Sequence, residues 1–134
     1  MTTGDRKILR IIDANYNRTK EALRVVEDIV RFCRQDKRGT QRIKRLRHSL
    51  TVPFKGKKIF KEMIAQRDSR KDVGRPVDRL ELERGDLEDV LYANLQRAKE
   101  SLRVLEETFK IIDGKSVSRL KGLRYNLYSF EKTL

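Results

Sequence analysis

Ala14 to Asp28 reads ANYNRTKEALRVVED, and Ala93 to Glu107 reads ANLQRAKESLRVLEE. Nine of the fifteen positions are identical at an offset of 79 residues. Self-similarity at a fixed offset marks a structural unit used more than once. The likeness returns downstream, where Arg42 to Leu50 reads RIKRLRHSL and Arg119 to Leu127 reads RLKGLRYNL, now at an offset of 77. The connection inside the second copy is therefore two residues shorter.

The stretches around the repeat read as helices. From Arg6 to Arg34, Ile8, Ile11, Ile12, Thr19, Ala22, Leu23, Val26, Ile29, Val30 and Cys33 fall on one stripe at helical spacing, uninterrupted by proline or glycine. Asp5 is placed to cap the start. Asp36 to Gly39 reads as a turn. A second helix follows with Ile43, Leu46 and Leu50, stopped by Pro53. Gly56 to Gln66 reads as a short amphipathic helix. Arg67 to Gly85 lacks periodicity and reads as a long loop, a class of segment that is usually functional. Another long helix runs from Asp86 to about Ile112 and is expected to end at Gly114. The last helix covers about Val117 to Lys132. The expectation is one all-α domain over residues 1–134, a helical bundle from a tandem-duplicated helix hairpin. Two long and two shorter helices form it, with a short inserted helix and a long loop. The first copy covers about residues 5–52, the insertion about 53–85 and the second copy about 86–134.

The repeated apolar positions need only a core. The repeated polar ones need a further reason, because surface positions drift at little cost. Asn15 projects into the apolar stripe, Arg18 to its edge and Glu21 further round, with Asn94, Arg97 and Glu100 as counterparts. A buried amide must be hydrogen-bonded and a buried guanidinium paired. Asn and Arg facing each other from two symmetric helices would form an anion pocket, since guanidinium forks match phosphate oxygens. A self-satisfied polar network explains the same residues, with Arg18 paired to Glu100 or Glu21. Lys20, Arg24 and Glu27, with Lys99, Arg103 and Glu106, read as a more polar face laced by exposed pairs.

The 67–75 loop reads RDSRKDVGR. Asp68 and Asp72 suit Mg²⁺, which favours carboxylate oxygens together with substrate phosphate. Gly74 permits a left-handed turn or the close approach of a phosphate. An ordinary charged loop is the competing reading.

Bulk composition narrows the partners. The net charge is +13, which favours anions, whether nucleic acid, acidic membrane surface or phosphorylated metabolite. With one cysteine no intrachain disulfide can form, so a cytoplasmic location is expected. Cys33 reads as a small core residue. His48 is the single histidine, which excludes metal sites built from Cys and His. No apolar run approaches the roughly 20 residues of a membrane span, and no signal peptide is expected at the start.

The stretches IIDANYNRTKEALRVVEDIVRF, LRHSL, RDSRKDVG, ANLQRAKESLRVLEETFKI and LRYNLYSFEK together resemble a known family. It is that of the small monofunctional hydroxymethylpyrimidine-phosphate kinases of thiamine biosynthesis, which occur alone or fused ahead of thiamine-phosphate synthase. The resemblance covers nearly the whole chain, and only the basic Arg70–Lys71 spacer departs from it. It implies a phosphomethylpyrimidine kinase, converting 4-amino-5-hydroxymethyl-2-methylpyrimidine phosphate to the diphosphate with ATP as co-substrate and Mg²⁺. It also implies no action on the unphosphorylated alcohol. The family signature falls on Asn15, Arg18, Glu21, Arg24, Glu27, Arg67, Asp68, Asp72, Gly74, Asn94, Arg97, Glu100, Arg103 and Glu106.

No Walker or Gly-rich kinase loop is present, so side chains are expected to hold the phosphates. Arg18, Arg97 and Arg67 are the expected catalytic cations. Asn15, Glu21, Arg24, Asn94, Glu100, Arg103 and Gly74 are expected to bind substrate and phosphate, and Asp68 and Asp72 the metal. Expected partners are the phosphorylated pyrimidine and ATP, with no membrane and a possible homodimer. Two rivals are a basic helical nucleic-acid-binding module and another small helical enzyme for anionic metabolites.

Overall fold

The computed structural model describes residues 2–77 and 79–134, and the side chains of all of these except residues 57, 79 and 80. The described residues are all-α. Helix α1 spans Thr3–Asp28, α2 Lys37–Leu50, α3 Lys57–Ala65, α4 Arg79–Leu82, α5 Leu87–Ile112 and α6 Val117–Lys132. The expected loop over residues 67–85 thus contains the single turn α4.

The two 26-residue helices, α1 and α5, form the centre of the packing. They run antiparallel. Asp5 and Leu9 at the start of α1 share a groove with Ile111 and Ile112 at the end of α5, and Arg34 reaches Glu88 near the start of α5 at 3.8 Å. Where they cross, the Thr19 and Ser101 hydroxyls meet at 2.6 Å, both buried. Small side chains at the crossing (Ala22, Ala98, Ser101) let the backbones approach. Helix α2 packs on α1 and α6, and α6 on α5, so four helices enclose Ile12, Leu23, Val26, Ile43, Leu50, Leu95, Leu102, Leu105, Leu120 and Leu127. Helix α3 covers one end of α1, where Tyr16, Phe54, Phe60 and Phe109 form an aromatic cluster. No described helix is long and apolar enough to cross a membrane.

The ends of the helices differ from several expectations. Thr2, not Asp5, caps α1. Its hydroxyl accepts from Asp5 N–H at 3.1 Å while Asp5 accepts from Thr2 N–H at 2.9 Å, a reciprocal capping box. Asp36 caps α2 by accepting from Gly39 N–H at 2.9 Å, so Gly39 belongs to the helix and not to a turn. A Cβ on Gly39 would sit 2.5 Å from the Asp36 carboxylate, which explains the glycine by space alone. Asp86 caps α5 in the same way, through Asp89 N–H at 2.8 Å. Helix α5 ends at Ile112 and passes into a 3-10 turn over Gly114–Ser116, with no left-handed glycine. Gly74 is likewise not left-handed.

Helix α1 continues into a π turn, Ile29–Cys33, closed by Arg34 N–H donating to Ile29 O at 3.1 Å. Gln35 then takes a left-handed φ of 51°. The π turn rotates Phe32 and Cys33 outward, so Cys33 is exposed and not the core residue its spacing suggested. Ile11, also placed on the stripe, is 44% exposed.

Candidate functional site

Helix α1 and the loop after α3 are joined by an ion pair. Asp13 is buried on the apolar side of α1, next to Ile12. A buried carboxylate requires a charged partner, and Arg67 supplies one. Arg67 Nε donates to Asp13 Oδ2 at 2.7 Å and Nη2 to Oδ1 at 2.6 Å. This bond to Asp13 raises the Arg67 pKa further above its ordinary value. Asn17 Nδ2 adds a donor to Asp13 Oδ1 at 3.2 Å. The loop beyond Arg67 is shaped by its own carboxylates: Asp68 Oδ1 accepts from Lys71 N–H at 3.2 Å, and Asp72 Oδ1 from Gly74 N–H at 2.9 Å.

Between this loop and α1 lies an open cavity of about 860 Å³. Asn15, Arg18 and Glu21 line it from α1, Arg67, Asp68, Ser69 and Asp72 from the loop. Asn15 is buried; its amide donates to Ile11 O at 2.9 Å, which turns Oδ1 toward Arg18 Nη1 at 3.4 Å. Arg18 is exposed, with its guanidinium held at the cavity rather than consumed by a carboxylate within the described residues. Four cations (Lys7, Arg10, Arg18, Arg67) and four carboxylates (Asp13, Glu21, Asp68, Asp72) line the space, with Ile11, Ala14 and Val104 as an apolar wall. Such a mixture suits a small ligand with one anionic end and several hydrogen-bond donors. A plain polyanion would leave the carboxylates unfavourably placed.

The second-copy counterparts take no part in this cavity. Asn94, Arg97, Glu100 and Arg103 do not line it. The expected meeting of Arg18 with Arg97 across the axis does not occur, because Thr19 and Ser101 occupy the crossing. Asn94 donates to Val90 O at 2.8 Å. Glu100 accepts from Gln96 Nε2 at 3.4 Å, and the contact Arg18 makes among the described residues is with Asn15 and not with Glu21 or Glu100. One difference between the copies is that Tyr92 stands where the first copy has Asp13.

The remaining repeated polar residues hold the bundle together. Glu27 and Glu106 are buried, not part of an exposed ladder. Arg124 on α6 donates to Glu106 through Nε, and through Nη2 at 3.1 Å, while Arg103 stands 3.8 Å away. Arg47 on α2 donates to Glu27 at 3.3 Å, and Arg24 lies 3.3 Å from the same carboxylate. Equivalent residues thus make equivalent ties, long helix to short helix, in both copies. Arg24 and Arg103 take part in these ties and lie outside the cavity. The Glu106 carboxylate raises the Arg124 pKa well beyond its ordinary value.

Asp68 and Asp72, the two carboxylates expected to hold a metal, both line the cavity. Among the described residues no three His, Cys, Asp or Glu side chains converge to hold a metal ion, and Asp13, a further carboxylate of the cavity, is engaged by Arg67. Mg²⁺ there would have to take most of its ligands from water and from a bound phosphate. Sequence reading missed Asp13, Asn17, Lys7 and Arg10. The available signal was Asp13 itself, a carboxylate directly after Ile12 of the apolar stripe.

The ThiD2 family pattern matches residues 10–133. Among similar curated proteins, the thiamine-phosphate synthase of Rhodopirellula baltica is 38% identical over 131 residues, covering 96% of this chain and 35% of that protein. The thiamine-phosphate synthase of Synechocystis sp. is 39% identical over 128 residues, covering 95% of this chain and 36% of its own length. That of Thermosynechococcus vestitus is 37% identical over 129 residues, covering 96% of this chain and 35% of its own length. The chain spans about a third of the length of these relatives. No solved structure matches it significantly. The thiamine side of the resemblance is supported, and the expected phosphomethylpyrimidine kinase is corrected. The relatives are named as synthases, transferases of another type than a phosphotransferase kinase. By match over most of its length and by identity to these relatives, the chain belongs to the ThiD2 family.

Proposed function

We propose that this chain is a substrate-holding domain for thiamine-phosphate formation, and that the cavity between α1 and the 67–72 loop binds a phosphorylated pyrimidine. The observation that carries the reading is Arg18, held at the cavity by the Asn15 amide beside a loop that Arg67 clamps to α1. The Arg18 guanidinium would take the phosphate, the charge-assisted contact that fixes orientation. Glu21, Asp68 and Asp72 would accept from the amino group of the ring, and Ile11, Ala14 and Val104 would face its apolar edge. The balance of cations and carboxylates supports this over a nucleic-acid partner, which would favour a cationic surface alone. ATP, Mg²⁺ and self-association belong to the same proposal as ligands and states to test; the reading needs none of them.

Calorimetric titration of the full chain with the phosphorylated pyrimidine and with its free alcohol tests it. The phosphate ester is expected to bind at least about tenfold tighter, the effect of one charge-assisted hydrogen bond. Arg18→Gln should remove most of that preference and leave the unfolding midpoint unchanged, whereas Arg97→Gln should leave binding unchanged. Equal affinity for ester and alcohol, or equal losses in the two variants, would overturn the assignment. Repeating the titration with ATP and with Mg²⁺ shows whether either shares the cavity.

A further inference from the structure

Helix α2 concentrates the positive charge of the chain. Its 14 residues include Lys37, Arg38, Arg42, Lys44, Arg45 and Arg47 and no carboxylate. Nearly half of the net charge of +13 therefore sits on about a tenth of the sequence. Arg47 is committed to Glu27, and the other five are not needed for that tie. Nor does the duplicated hairpin demand them all. At the offset of 77, Arg45 has Gly122 as its counterpart on α6, so the packing does without a cation there.

Three of these arginines gather at a cavity of about 590 Å³ between α2 and the end of α6, which shares no lining residue with the α1–loop cavity. Arg38, Arg42 and Arg45 line it from α2 with Gln41, and Phe130 and Thr133 from α6. The Arg42 guanidinium lies 5.7 Å from the centre of the buried Phe130 ring, which fixes its place. Asp36, the one carboxylate in the lining, is engaged in capping α2, where it accepts from Gly39 N–H at 2.9 Å. Among the described residues none of the three arginines has an ion pair. Like charges gathered at one cavity repel, and an anion bound there relieves the repulsion.

We propose that this face of α2 binds the phosphate backbone of a nucleic-acid double helix, without regard to base sequence. The exposed side chains select that partner. Lys37, Arg38, Gln41, Lys44, Arg45 and His48 are exposed on α2, with no aliphatic, Phe or Tyr side chain among them. A protein partner would need apolar or aromatic anchors at the centre of the contact. A lipid surface would need an apolar face to bury. A single strand would need rings on which its bases could stack. Duplex phosphates need only cations, and guanidinium forks match their oxygens. Arg38 to Arg45 covers roughly 10 Å of helix axis at about 1.5 Å per residue. Laid along a duplex, that length meets about three phosphates of one strand, spaced about 3.4 Å along the axis. The proposal is independent of the assignment of the α1–loop cavity, whose carboxylates disfavour a polyanion.

The probe is a fluorescein-labelled DNA duplex of about 20 base pairs and mixed sequence, with binding to the full chain read by fluorescence anisotropy over a range of salt. The same sequence is tested as an RNA duplex and as single-stranded DNA, and the tighter of the two duplexes names the source of the backbone. Duplex binding is expected in the micromolar range, with a slope of log affinity on log salt of about −3 or steeper. Arg38→Gln combined with Arg45→Gln should weaken it tenfold or more and make the slope shallower by about 2, with an unchanged unfolding midpoint. Lys58→Gln combined with Lys115→Gln removes the same charge at the other end of the bundle and should change affinity less than about twofold. Lys58 shares a groove with Ile111 and Ile112 at the end of α5, whereas Arg34, just before α2, reaches Glu88 near its start. The proposal is overturned if neither duplex binds at about 50 mM salt, or if the single strand binds as tightly as the duplexes. It is equally overturned if poly-glutamate of matched charge displaces the duplex as well as unlabelled duplex does. Equal losses in the two double variants would also overturn it, since they would assign binding to net charge alone.

Discussion

Arg67 and Asp13 lie 54 residues apart in the chain and meet through two parallel hydrogen bonds of 2.7 and 2.6 Å. The Asp13 side chain is nearly enclosed, while that of Arg67 is 45% exposed. The pair therefore anchors a solvent-facing loop to a core helix, and its two ends respond differently to substitution. Arg67→Ala leaves a buried carboxylate without its cation and is expected to cost about 2 kcal/mol. Asp13→Asn removes the buried charge as well and should cost less. In both variants limited proteolysis should cut faster within residues 68–77, and denaturant midpoints give the ranking. Equal proteolysis of wild type and Arg67→Ala would show that the loop is held by other contacts.

The two long-to-short helix ties are not equal. Glu106 receives two hydrogen bonds from the largely buried Arg124. At the equivalent place Glu27 Oε2 and Arg47 Nε have no hydrogen-bond partner among the described residues. Glu106→Gln is expected to destabilise by about 3 kcal/mol, and Glu27→Gln by less. Replacing Glu106 and Arg124 together by leucine should cost less than either single change, because no unpaired charge remains. Urea unfolding of the five variants measures this.

At the crossing of α1 and α5 the Thr19 and Ser101 hydroxyls satisfy each other away from water. Ser101→Ala removes one partner and should cost about 1 kcal/mol. Thr19→Val combined with Ser101→Ala removes both and should be nearer to neutral than the sum of the single changes. Ser101→Leu should be worse than any of these, since it forces apart two backbones that close packing has brought together. Thermal midpoints order the series.

Stability should depend on pH at both extremes. Asp5 is held below its ordinary pKa by the Thr2 backbone and hydroxyl, and Glu107 by Lys110. A depressed carboxylate contributes stability above its unfolded pKa and loses it as pH falls through the folded value. The chain should therefore weaken below about pH 4. Thr2→Ala should reduce that acid sensitivity. Tyr16 shifts the other way, its pKa raised by burial, so its contribution is full below the unfolded value and is lost as pH rises through the folded one. Ultraviolet titration of the four tyrosines should show a late component above about pH 10, absent in Tyr16→Phe.

The all-α class and the limits of α5 and α6 were legible because period and caps agreed over long stretches. Val117 to Lys132 was read to the residue. The site was legible in part. Asn15, Arg18, Arg67, Asp68 and Asp72 were singled out, and the structure brings them to one cavity. Repetition misled at Arg24 and Arg103, expected to bind phosphate: they recur beside Glu27 and Glu106, where both hairpins need a tie. Asn94 and Arg97 also recur, yet they lie outside the cavity, whose loop no helix periodicity could have positioned. Asp13 escaped notice because it occurs in one copy only. Its partner is 54 residues away, a distance over which spacing carries no signal.

The π turn at the end of α1 acts as a length compensator. Glu27 and Arg47 are separated by 20 residues, Glu106 and Arg124 by 18, yet both pairs close. The surplus pair of residues in the first hairpin is taken up where Ile29–Cys33 winds wider and Gln35 reverses the chain. That slack turns Cys33 to the solvent, where its thiol becomes a gauge of the joint. Its labelling rate should rise if the joint loosens and fall if a two-residue deletion tightens it to the span of its counterpart.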